Sequence, residues 1–205
     1  MNEIPYTAQP KTACEECTLK SRLMCRYKKR DTTHFFMIFM PFLATAIGGV
    51  ISSGYGWWLF GWLAYMLFFF FEWEARVLCS HCPYWAEDGH VLRCHANYGV
   101  IKLWMYRPGP MSRSEQAQFL VGALLLVLYP LVFMIIGQEY LLAAIGLVSA
   151  VSFAYLLRRN ICIRCVNFSC PLNSVPKDIV NAYLAQKPVM RDAWERSGYQ
   201  LDLKK

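Results

Sequence analysis

The nine cysteines fall into three groups of three: Cys14, Cys17 and Cys25; Cys79, Cys82 and Cys94; Cys162, Cys165 and Cys170. Each group opens on a Cys-x2-Cys pair. Two intervening residues allow a tight turn that aims both sulfurs, and some backbone amides, at one metal. Tetrahedral zinc takes four Cys or His ligands, with Zn–S at about 2.3 Å. Iron–sulfur clusters use the same spacing, and their ligand runs often end in Cys-Pro. Cys82-Pro83 and Cys170-Pro171 share that ending. The expected cofactor is therefore zinc or an iron–sulfur cluster. Each group is one ligand short of a tetrahedral site, so a histidine or the N-terminal group must complete the others. His81, His90 and His95 are the candidates, and His81 is taken as a metal ligand beside the nine cysteines. His95 directly follows Cys94, and adjacent residues seldom ligate one ion together. The opposing reading makes some of these thiols small buried hydrophobes. It suits an isolated cysteine better than three spaced pairs.

The elements that carry these residues form a repeat. Arg76-x2-Cys79-x2-Cys82 returns as Arg159-x2-Cys162-x2-Cys165, and Cys94-x2-Asn97 returns as Cys170-x2-Asn173. An apolar stretch precedes each copy. Residues 35–71 carry no charge, and at about 1.5 Å per helical residue they exceed what one pass through a core of about 30 Å requires. Ser52-Ser53-Gly54-Tyr55-Gly56 has turn chemistry, which predicts helices over 35–53 and 57–75. Trp57, Trp58 and Trp62 suit one membrane interface and Trp73 the other. A second stretch, turning at Gly137-Gln138-Glu139, predicts helices over 117–137 and 140–157. Pro41 kinks the first helix or lies near its start. Pro130 is tolerated if a neighbour satisfies the carbonyl it frees. Ser112-Arg113-Ser114-Glu115 offers a cap to the third helix. The expected fold is an all-α integral membrane protein: four transmembrane helices as two duplicated hairpins, with a cytoplasmic Cys-rich metal-binding cap. Its segments are an N-terminal arm (1–33), a first hairpin (34–75), a Cys/His loop (76–116), a second hairpin (117–157) and a C-terminal domain (158–205). The last opens with a cap at 174–178 and a short amphipathic helix over 179–186.

Charge sets the orientation. All 21 Lys and Arg residues lie in the arm, the middle loop and the C-terminal domain; the two hairpin turns have none. The positive-inside rule makes their side cytoplasmic, so the protein is expected in the cell inner membrane, multi-pass, with both termini inside. Residues 1–33 lack the apolar core of a secretory signal, and Met1 is read as the true start. Reducing cytoplasm disfavours a disulfide framework. The net charge of +7 flanks membrane ends and meets anionic headgroups, so membrane lipid is the expected partner and nucleic acid is not. In topology the chain resembles the membrane ferredoxins of quinol-oxidising electron-transfer chains, which also have four spans and cytoplasmic cysteine motifs. That likeness covers topology alone. Their full run, C-x2-C-x2-C-x3-C-P, is missing here, because Cys162-Ile163-Arg164-Cys165 is followed only by Cys170.

No histidine falls within a predicted helix, which excludes a bis-histidine haem in the bilayer. No charged residue sits at mid-span, where such groups mark ion and proton paths. Glu72 and Glu74, at the cytoplasmic end of the second helix, are either a metal-access or quinone-side carboxylate pair or simple markers of the headgroup region. The functional expectation is a metal-binding membrane protein with an electron-transfer role, beside a lipid quinone or a membrane-complex partner. Soft-metal handling of Cu, Zn or Hg and a zinc-stabilised membrane scaffold are the alternatives.

Overall fold

The structure, a computed structural model, describes residues 18–202. Cys14 and Cys17 lie outside them. Among the described residues the fold is helical, with one isolated bridge between Val91 and Ile101 and no strand. Three segments are long and apolar enough to cross a membrane: Lys29–Ser52, Arg113–Ile136 and Tyr140–Arg164.

Helix α1 (Lys29–Ser52) begins six residues before the apolar run. The charge-free stretch marks where lipid-compatible surface starts, whereas the helix starts as soon as the backbone permits. Asp31 in its first turn suits the positive end of the helix dipole. His34 therefore lies within a helix, exposed on its surface, which corrects the expectation that none does. Pro41 falls in the interior of α1, and Thr45 Oγ1 donates to the Pro41 carbonyl at 2.8 Å.

After a turn with Gly54 at φ +81°, α2 (Trp58–Phe68) leads without interruption into a π-helical turn (Phe69–Trp73) and a last α turn, α3 (Glu74–Val77). A regular helix over 57–75 was the expectation. The insertion is real in the hydrogen bonds: Glu74 N–H bonds to the Phe69 carbonyl, five residues back. Such bulges need outside support and cluster at functional sites.

Helix α4 (Arg113–Ile136) opens on the predicted cap. Ser112 Oγ accepts from Glu115 N at 3.2 Å, and the Glu115 carboxylate accepts from Ser112 N at 2.8 Å, a complete capping box. Helix α5 (Tyr140–Asn160) ends on Arg158 and Arg159, cations at the negative end of its dipole. Two short helices follow, α6 (Lys177–Ala185) and α7 (Pro188–Arg196). The predicted Ser174 cap of α6 is not made; its hydroxyl donates instead to the Arg158 carbonyl at 3.4 Å.

The long helices interlock across the expected hairpins. α1 packs mainly on α5, α2 on α4, and α1 barely meets α2. Close approach relies on small residues. Gly122 faces Phe69 so tightly that any Cβ would collide with the ring, and a Cβ at Gly137 would come within 2.7 Å of the Ser53 carbonyl. One core, around Phe42, Val50, Trp62, Leu131 and Met134, fills the bundle. A second gathers the arm, the middle loop and the C-terminal segment, with Leu23, Tyr84, Leu92, Val166, Leu184 and Trp194 inside it.

Pro130 has no N–H, so the Leu126 carbonyl one turn before it lacks its helical donor. Buried Trp62 supplies one: its indole N–H donates to that carbonyl at 2.9 Å. Trp62→Phe should therefore leave a buried carbonyl orphaned, at about 1–3 kcal/mol beyond the lost packing. That extra loss should vanish in a Pro130→Ala background, where a backbone N–H returns. A double-mutant cycle on the unfolding free energy measures it, and equal losses in both backgrounds would refute the pairing.

Candidate functional site

The two cysteine pairs of the loop and the C-terminal segment form the same turn. Leu78 and Ile161 hold φ, ψ of -115°, -54° and -110°, -55°. Cys79–His81 and Cys162–Arg164 are single 3-10 turns, after which Cys82 and Cys165 are extended at ψ 137° and 132°. The amides around the sulfurs also match. Cys82 receives the backbone N–H of Tyr84, and Cys165 that of Asn167, each two residues on. Cys94 receives the amides of Ala96 and Asn97, and Cys170 those of Leu172 and Asn173. Amide donors aimed at sulfur favour the thiolate over the thiol.

All six of these cysteines line one cavity of about 400 Å³. They carry free thiols. The cavity runs from the cysteine turns into the helical bundle, between aromatic side chains of α1, α2 and α5. Burial is the largest influence on these sulfurs. It pushes Cys79, Cys82 and Cys165 well above the ordinary thiol range, Cys94 up, and Cys170 up to about 12. Their neighbours add to it, Cys94 acting on Cys79, Cys82 and Cys165. In such a wall a thiol keeps its proton unless a soft cation replaces it. Among the described residues, no group of three or more Cys, His, Asp or Glu side chains is close enough to hold a metal ion as it stands.

Three asparagines set this geometry. Asn97 Nδ2 donates to the Phe70 carbonyl at 2.9 Å, where a regular helix would place the Glu74 N–H. The same amide reaches Glu74 Oε2 at 3.3 Å and Cys79 Sγ at 3.8 Å. It thus holds the π turn, the carboxyl and the first thiol together. Asn167 Nδ2 donates to the Leu78 carbonyl at 3.1 Å, tying the second loop to the first. Asn173 Nδ2 donates to the Cys165 and Asn167 carbonyls, both at 2.9 Å. The Cys-x2-Asn spacing of Asn97 and Asn173 is visible in the sequence; their role as amide donors is not.

The other sequence candidates divide. The described part of the arm lies against both loops: Met24 N donates to the Arg164 carbonyl at 2.7 Å, and Tyr84 Oη donates to the Met24 carbonyl. Cys25 is half-buried on the same core but does not line the cavity. His81 does not line it either. Its Nδ1 donates to the Gly109 carbonyl at 2.7 Å, and its Nε2 stands 3.6 Å from Glu115 Oε1. Burial lowers its pKa. His95 lines the cavity instead, edge-on to Tyr84, with burial holding its pKa down to about 4. Of the two carboxylates, Glu74 faces the cavity and is buried, while Glu72 is not among its lining. His90 is exposed.

Comparison of the chain with protein-family models, curated proteins and solved structures gives no match. The site must be read from its own geometry.

Replacing Asn97 removes one amide from three acceptors. Asn97→Ala should lower the unfolding free energy by about 1–3 kcal/mol. Asn97→Asp should do worse, because it turns an acceptor toward a carbonyl, a carboxyl and a sulfur. Denaturant melts in detergent compare the two, and an Asn97→Asp protein as stable as wild type would contradict this account.

Proposed function

We propose that this is a multi-pass protein of the cell inner membrane holding an iron–sulfur centre at the cytoplasmic end of its helical bundle, as an electron-transfer subunit. The observation that carries the reading is the convergence of six cysteines, from two turns of one geometry, on a single chamber with matching amide donors to sulfur.

The helical run from Trp58 to Val77 serves as the fourth span. Its π turn lies at the end nearest the cysteines, where Asn97 supports it. Four spans bring the arm, the loop and the C-terminal segment to one side. The Lys and Arg residues there make that side cytoplasmic, and reducing conditions keep its thiols available. The two matching cysteine turns are consistent with a duplicated unit of hairpin and loop.

The choice of a cluster over zinc rests on the sequence, where Cys82-Pro83 and Cys170-Pro171 share the Cys-Pro ending of cluster ligand runs. Cys79, Cys82, Cys94, Cys162, Cys165 and Cys170 would hold the centre. Such a group supplies one-electron transfer when bound. The residues of the chain would support ligated thiolates by amide donation, exclude water with apolar walls and fix the two loops through Asn167. The electron partner is a lipid quinone or a subunit of a membrane complex.

Anaerobic purification in detergent should give a brown protein with iron and acid-labile sulfide in near-equal amounts. Cys82→Ser and Cys165→Ser should each lose most of both, while Cys25→Ser loses less. A colourless preparation with stoichiometric zinc, or with no metal, would overturn the proposal.

A further inference from the structure

The chamber is larger than the thiols need. Beyond the cysteine turns it extends into the bundle between Phe35, Phe39, Phe42, Trp62 and Phe153. These rings are held by one another: Phe39 and Phe153 meet at 5.2 Å and Phe42 and Trp62 at 6.4 Å between centroids. A volume of about 400 Å³ falls in the range of sites for small organic ligands, roughly 300–1,000 Å³. Its walls are apolar except at the thiol end. There the buried polar side chains of Glu74, His95 and Asn97 face in, each more than nine-tenths buried. Among the described residues, no Lys or Arg lines the chamber.

These features select a ligand. With no cation among the described lining residues, an anionic head such as a fatty-acid carboxylate or a phosphate is disfavoured there. The aromatic walls suit a flat ring. The carboxyl of Glu74, held by the Asn97 amide at 3.3 Å, can also meet a carbonyl or hydroxyl. The apolar reach between α1, α2 and α5 takes a hydrocarbon tail, and its walls belong to helices that lie in lipid.

We infer that the inner part of this chamber binds a lipophilic quinone, ring toward Glu74 and His95 and tail between the aromatic side chains of the bundle. The inference rests on the reading above, in that the same chamber opens onto the proposed centre; quinone occupancy itself follows from the walls and the buried carboxyl. Asn97 joins the two regions, since its amide contacts both Glu74 and Cys79 Sγ.

The test uses the full chain in nanodiscs of zwitterionic phospholipid, titrated with a short-tailed benzoquinone and followed by tryptophan fluorescence quenching. Iron and sulfide are assayed in the same samples, so loss of the centre and loss of quinone binding are separate results. Wild type should show one saturable site per chain. Ala154→Phe, which fills the wall of the chamber, and Glu74→Leu should each weaken binding by about tenfold or more, a change of roughly 1.4 kcal/mol. Glu74→Gln keeps a hydrogen-bonding head and should stay within about threefold of wild type. Excess oleate should not displace the quinone. Quenching that rises linearly and identically in all four proteins would mean partition into the bilayer and would overturn the inference. So would displacement by oleate at matching concentration, which would mark an acyl-chain site.

Discussion

In hydrocarbon, a backbone carbonyl or amide has no water to turn to, and each must find its partner within the protein. Pro130 and the π turn both break the helical ladder, and each is closed from elsewhere in the fold. At Pro130 the freed Leu126 carbonyl is taken by the indole of Trp62. At the π turn the Phe70 carbonyl is taken by the Asn97 amide. The first bond fastens α2 to α4. The second fastens the end of the helical run to the cysteine loop. Just past the π turn, Glu74 faces the chamber and Glu72 does not. The site is thus a product of how the helices are repaired.

The chemistry follows from the same economy of donors. Burial makes charge on sulfur unfavourable, and backbone amides directed at Cys82, Cys94, Cys165 and Cys170 oppose it. Amides give up no proton and move little, so they stabilise thiolate without competing for a metal. That arrangement does not suit a catalytic thiol, which needs access to water and a nearby base.

Much of this was legible in the sequence, for reasons that can be named. Helix class and order followed from apolar runs broken by Gly-rich turns. Ser112 and Glu115 form the predicted capping box because its chemistry is local. The need for a partner at Pro130 was also local, but Trp62, 64 residues away from Leu126, was not identifiable as that partner. The π turn could not be read, because it depends on Asn97 arriving from another segment. His81 sits inside a Cys-x2-Cys pair, which made it a candidate ligand; its ring bonds to the Gly109 carbonyl and does not line the chamber. A C-terminal helix with Trp194 on an exposed surface was the expectation; in α7 Trp194 is instead buried, with Met190.

The arm adds a constraint of timing. Met24 bonds to the Arg164 carbonyl and receives the Tyr84 hydroxyl, so it is wedged between two loops made long after it. The ribosome releases the arm first and its last partner only when most of the chain has been inserted. Closure of this end is therefore a late event. A ligand of the chamber would meet a nearly finished protein in which Met24 still awaits its partners.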